Sequence, residues 1–231
     1  MIYLYSVLTI VVFAIAVTIN KKLKSIVFNS FVLTVCALVA ILLIFHIPYH
    51  SYIAGNKPLN MLLAPSIVAL ALPLYEQLPQ IKKSWRSILF ITTFASVFAM
   101  LSGAFIAFLL GANNQVMATL FAKSITTPLA MAVSHTIGGV PTITVVLVII
   151  AGLVGSVFGY SIVKLLKLKR SEAIGLSIGA ASHALGTAAC MDVDKKAGTF
   201  SSISLVLCGV ITSLCAPLLF NLFLIVMKIF S

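Results

Sequence analysis

No charged residue occurs between positions 87 and 122, and none between 124 and 163. A bilayer core is spanned by about 20 apolar residues, so each of these runs has length for nearly two crossings. The whole chain agrees with its longest runs: 61% of residues are hydrophobic, 8% are charged and the mean hydropathy is +1.21. Soluble domains carry roughly 25% charged residues, which excludes that class. The sequence reads as an all-α polytopic membrane protein, a single integral membrane domain over 1–231 with the lipid bilayer as its solvent.

The net charge of +11 does not indicate nucleic acid, because the basic residues fall in short clusters between apolar segments. That arrangement sets membrane topology, and no stretch has the composition of a nucleic-acid groove. Segment 1–19 lacks a basic leader and is followed by Lys21, Lys22 and Lys24, as a retained span would be. The four cysteines stand singly with no C-x-x-C pair, so neither zinc nor a disulfide framework is expected. His46 and His50 have no carboxylate or cysteine near them. No metal, no cofactor and no enzymatic chemistry are expected: nucleophile–base sets, P-loops and metal-ligand spacings are missing.

Four N-terminal spans fit within 1–110, at about 2–19, 26–45, 60–78 and 87–110, the third interrupted by Pro65 and Pro73. The loops after them hold three, one, three and no basic residues. The positive-inside rule then places the N-terminus and the loop 111–114 outside, and the basic loop 164–170 in the cytoplasm, as expected for a bacterial inner-membrane protein. Two apolar stretches, 115–138 and 141–163, separate those loops, and two full crossings would put 164–170 on the wrong side. One stretch must dip in and return. The stretch 115–138, broken at K-S-I-T-T-P, is the candidate. Residues 171–190 are flanked by basic residues on both sides and read as a second hairpin, entered from the other face, before a last span at 200–227. The expected architecture is about six full spans plus two oppositely oriented re-entrant hairpins, with hairpin plus span occurring at 115–163 and, inverted, at 171–228. Inverted repeats with broken helices at mid-membrane mark secondary transporters.

Polar residues at membrane depth are costly and are functional candidates by default. The first hairpin carries Lys123, Ser124, Thr126, Thr127, Ser134 and His135; the second carries Ser182, His183 and Thr187. Both contain S-H-x-[Ile/Leu]-G, 134–138 and 182–186. Thr127 before Pro128 reads as an N-cap and first helical residue. A half-helix starting there directs free N–H groups into the membrane interior. With Lys123 and the hydroxyls, this describes a site for a small carboxylate anion. The imidazoles offer proton coupling. Against this stand plainer roles: close packing for the glycines and alanines, and snorkelling for Lys123.

Three stretches carry a family resemblance: A-P-S-I-V-A-L-A-L-P-L-Y at 64–75, K-S-I-T-T-P-L-A-M at 123–131 and G-A-A-S-H-A-L-G-T-A at 179–188. They resemble the LrgB/CidB family, described as antiholin-like or holin-like proteins and effectors of murein hydrolase. Two positions depart from that pattern: Ala64 stands where the family has Gly, and Ala-Cys-Met-Asp at 189–192 where it has Arg-x-Glu. The resemblance implies a bacterial inner-membrane protein acting with a small LrgA/CidA-like partner. It also implies one of two activities: transport of monocarboxylates such as pyruvate, glycolate, lactate or glycerate, or control of lysis without a dedicated substrate. The hairpins and the buried lysine favour transport, and self-association into a homo-oligomer is expected.

Overall fold

The computed structural model describes residues 3–23, 30–62 and 78–230, together with Pro65, Val68, Tyr75 and Glu76. The span expected at 60–78 and the stretch 64–75 therefore lie largely outside the described residues. All regular structure among the described residues is helical. Five segments are long and apolar enough to cross a membrane: Leu4–Lys22, Ile81–Leu109, Pro141–Leu165, Ser171–Val193 and Lys195–Ile229. The span expected at 26–45 is represented by the shorter apolar helix Leu33–Ile44. The chain divides into two compact units, Met1–Ala69 and Leu70–Ser231.

In the first unit, α1 (Leu4–Leu23) and α2 (Ser30–Ile44) are followed by two short helices, α3 (Tyr49–Gly55) and α4 (Lys57–Met61). Polar side chains fasten α3 to α1. The Ser6 hydroxyl donates to the Gly55 carbonyl at 2.8 Å, and Thr9 Oγ1 lies 2.8 Å from the Tyr52 hydroxyl. The rings of Tyr5 and Tyr52 meet edge to face at 5.9 Å. In lipid, such contacts replace the hydrophobic drive that water would supply.

The second unit begins with α5 (Leu78–Leu109), 32 residues long and interrupted at Ser84 (φ −134°, ψ 27°). The interruption falls inside the basic–aromatic segment at the expected interface, where the Arg86 guanidinium stacks on Trp85. Next come two short helices, α6 (Asn114–Phe121) and α7 (Thr127–Thr136), then the long α8 (Pro141–Leu165), α9 (Ser171–Val193) and α10 (Lys195–Phe230).

Two of these elements fold back on themselves. Asn114 and Gln115 at the start of α6 share one cavity with Thr136–Gly138 after α7, beside Pro217, Phe220 and Asn221 of α10. The turn between α6 and α7 lies elsewhere, against Ser96 of α5 and Cys208 and Thr212 of α10. Helix α9 breaks at His183 (φ 43°, ψ −137°). Before the break, Gly175 and Gly179 lie against the backbone of Ala197 and Ser201; after it, Thr187 reaches Ser201 and Met191 meets Gly198. Both arms thus run along the same first turns of α10. Their ends meet as well: Glu172 pairs with Lys196 at 2.7 Å, and the Ser171 hydroxyl stands at the Asp194 carboxylate. Asp194 also caps α10, accepting from the N–H groups of Lys196 (2.9 Å) and Ala197 (3.1 Å).

Helix α8 is the common wall. Its first half packs on α6 and α7 through a buried cluster in which the Thr144 hydroxyl lies 2.7 Å from Ser134 Oγ and 3.1 Å from the Thr119 carbonyl. Its second half packs on α9, with Val163 and Tyr160 against Ile174 and Ile178. The glycines are packing positions: a Cβ on Gly155 would strike Ser182, and one on Gly179 would strike the Ser201 carbonyl.

Candidate functional site

The two turns come together about halfway along α8 and α10. From the first, residues Phe121, Ser124 and Ile125 border a small cavity of about 10 Å³; from the second, Ala180 borders it; Ser96, Met100, Cys208 and Thr212 also line it. That volume accommodates one water molecule at most. Just beyond it, His183 Nε2 is 2.8 Å from the Val148 carbonyl of α8. A carbonyl only accepts, so Nε2 carries the hydrogen of this bond, and Nδ1 has no partner among the described residues. Gly152 leaves space for that ring: a Cβ there would lie 2.5 Å from His183 Cε1.

The cap of α7 is Thr126 rather than Thr127, one residue earlier than expected, with Pro128 inside the first turn. The Thr126 side chain makes no cap bond, and its buried Oγ1 has no hydrogen-bond partner; Ser96 Oγ lies beside the Cys208 thiol. An unsatisfied buried hydroxyl is uncommon and costly, and Thr126 lies beside the junction of the turns. Lys123 is half-buried. Its stem lies on Gly103 of α5, its Nζ donates to Ser124 Oγ at 3.2 Å, and no carboxylate among the described residues pairs with it.

The expected site residues therefore fall into three groups. Lys123, Ser124, Thr126 and Thr127 form the first turn, while Ser182 and His183 form the second. Ser134 and Thr187 lie in the arms and fasten them, Ser134 to Thr144 and Thr187 to Ser201 at 2.8 Å. His135 is exposed near the far end of α7, away from His183. The two S-H motifs are thus not equivalent, since one sits at a turn and the other at the foot of an arm. The residues that sequence reasoning missed are Ser96, Cys208 and Thr212. Thr92–Ser96 and Ser204–Cys208–Thr212 recur at four-residue spacing, which puts each set on one helix face; Cys208 Sγ reaches the Thr92 carbonyl at 3.6 Å. That polar stripe in apolar helices was the available signal.

Two open cavities flank the junction. One, of about 800 Å³, lies between the start of α5, the start of α9 and the start of α10. The other, of about 440 Å³, lies at the feet of α6 and α7 beside the last third of α10. Phe200 lines the first and Phe220 the second. Twenty helical residues separate them, roughly 30 Å, which is the thickness of a hydrocarbon core. Among the described residues, no group of three or more His, Cys, Asp or Glu assembles.

A sequence model of the LrgB-like family matches residues 9–222. The chain is 57% identical over 221 residues to an uncharacterized protein of Haemophilus influenzae, covering 96% of each. It is 40% identical over 190 residues to protein YxaC of Bacillus subtilis, covering 82% of this chain and 83% of the relative. With the holin-like protein CidB of Staphylococcus aureus it shares 36% identity over 224 residues, 94% of each chain. No solved structure matches.

Proposed function

The chain belongs to the LrgB-like family, and from that premise we propose that it is a bacterial inner-membrane carrier for small monocarboxylates, working by alternating access. One observation carries the reading. Two helix pairs open toward opposite ends of α10 and meet at a closed junction midway between two cavities. In a bilayer these pairs are oppositely oriented re-entrant hairpins, and the α8 and α10 spans complete an inverted repeat. Transporters built this way bind at the midplane, where half-helix N-termini and broken backbone face the substrate.

In this reading the carboxylate docks on the N–H groups at the start of α7, with Thr126 Oγ1 as a further donor and Lys123 as its counter-charge. His183 positions the second turn through its bond to Val148, and its free Nδ1 is available for a coupled proton. The junction is closed in this conformation, so substrate reaches it only when one hairpin shifts against α8. Proteoliposomes holding the protein, alone or with a small LrgA/CidA-like partner, should accumulate labelled pyruvate or glycolate. Lys123→Ala should abolish uptake while expression and mobility on size exclusion are kept. Unchanged uptake in that variant removes the anion site.

The relatives named holin-like favour a second reading, a membrane component that controls lysis without a dedicated substrate. The CidB relative is named holin-like and not for a substrate, so this reading has that name on its side and the first has the geometry. Liposomes separate them: release of unrelated solutes, with no saturable carboxylate uptake, supports the second.

A further inference from the structure

The larger of the two cavities is unlike the smaller in charge. Lys83, Arg170, Lys195 and Lys196 line it, with Glu172 as its one carboxylate. The polar side chains of the smaller cavity are all neutral, Asn, Gln and Thr. Glu172 is engaged by Lys196 at 2.7 Å and by Arg170 at 3.8 Å. Lys83, on the α5 wall, and Lys195, on the α10 wall, have no carboxylate within ion-pair distance among the described residues. Two exposed cations without an ion-pair partner among the described residues border one open volume of about 800 Å³.

The floor of that volume is apolar. Ile88, Leu176, Phe200 and Ile203 form a buried cluster beneath it. Beyond this plug, one further turn along α10 places Ser204, whose hydroxyl donates to the Leu176 carbonyl, and the next places Cys208 at the junction cavity. An anion in the basic cavity is thus two helical turns from the junction, separated from it by side chains that exclude water.

We propose that this cavity is an inner capture site, in which a small monocarboxylate is held by Lys83 and Lys195 before it crosses the apolar plug. The carrier reading supplies the identity of the ligand; the charge and shape of the cavity supply the rest. A basic cleft with apolar walls focuses its field and raises the local anion concentration. The positive-inside rule places this face in the cytoplasm, so capture lets the carrier load from that side at a lower acid concentration. The neutral outer cavity holds its ligand weakly and lets it go.

The test uses the whole chain in liposomes, with Ser87→Cys as reporter and Cys36 and Cys215 replaced by serine. Reaction rates with an anionic and a cationic thiosulfonate are each normalised to a small free thiol. At low salt the anionic reagent should react at least about tenfold faster, and the preference should vanish near 1 M salt, where screening acts within about 3 Å. K83Q with K195Q should bring the ratio toward one, and pyruvate should slow modification only when both lysines are present. Thr199→Cys reports from the opposite wall if Ser87→Cys fails to fold. A ratio near one, no protection by pyruvate, or a ratio that follows the anionic-lipid content would overturn the proposal; the last would mean that lipid head groups fill the cavity. Protection by pyruvate with no pyruvate transport leaves the capture site standing and removes the carrier reading.

Discussion

At His183 the backbone adopts φ 43°, ψ −137°, a conformation that L residues rarely hold and that costs about 1–3 kcal/mol. The buried bond to the Val148 carbonyl returns about 1 kcal/mol of that, and the close seat against Gly152 adds packing. The balance makes a prediction that reverses the usual order. In an unbroken helix Ala exceeds Gly by about 1 kcal/mol, whereas at a break of this kind Gly is the residue that fits. Both His183→Gly and His183→Ala should lower the melting temperature, but the glycine variant should melt higher than the alanine variant. A higher melting temperature for alanine would mean that the helix continues through 183. Serine and histidine at this place were visible in the sequence as a motif. Their position at a turn was not, because neither glycine nor proline marks the bend. Contacts of two arms with one partner helix set it, and no local pattern encodes those.

At the scale of elements, the folded-back pairs depend on close backbone approach and on how their ends are tied. Gly179 faces the Ser201 backbone with no room for a side chain. Gly179→Leu should therefore split α9 from α10, at a cost of about 3 kcal/mol or more, and appear as aggregation on size exclusion. A polar substitution on the exposed side of α10, such as Leu214→Ser, should leave the profile monodisperse. The ends of α9 are held by Asp194, whose carboxyl lies below its ordinary range because the Ser171 hydroxyl and then the N–H groups of Ala197 and Lys196 favour the ionised form. A depressed carboxylate contributes stability above its unfolded pKa and loses it as pH falls through the folded value. Purified protein should thus lose melting temperature below about pH 4, and Asp194→Asn should flatten that limb by lowering the melting temperature at pH 7 toward the acid value. That the chain is helical with several apolar spans was legible from its uncharged stretches, whereas the break of α9 at His183 came only with the structure. The cap at Thr126 shifted by one from the expected Thr127, because Thr126 and Thr127 have the same chemistry and only the backbone distinguishes them.

For the whole molecule, everything rests on which faces the two helix pairs open to. Composition was enough to place the chain in a bilayer and to make it helical, since no other class tolerates so few charges. The meeting of the turns was legible only in outline: the polar residues of 121–139 and 180–187 pointed to it, but Ser96, Cys208 and Thr212 come from helices that read as plain spans. A single set of accessibility measurements decides the arrangement. Gln115 and Thr136 stand at the two feet of the α6–α7 pair and border the same cavity. Placed one at a time as cysteines, they should react with an impermeant reagent from the same side of the membrane. Glu172, at the start of α9, and Lys196, at the start of α10, border the other cavity and should react only from the opposite side. Asn221 should follow the first pair and Thr199 the second, since roughly 30 Å of helix separates them. If Gln115 and Thr136 label from opposite sides, the α6–α7 pair crosses the membrane. The charge of the loop 164–170 would then lie outside, and a midplane site between two hairpins would have no structural basis.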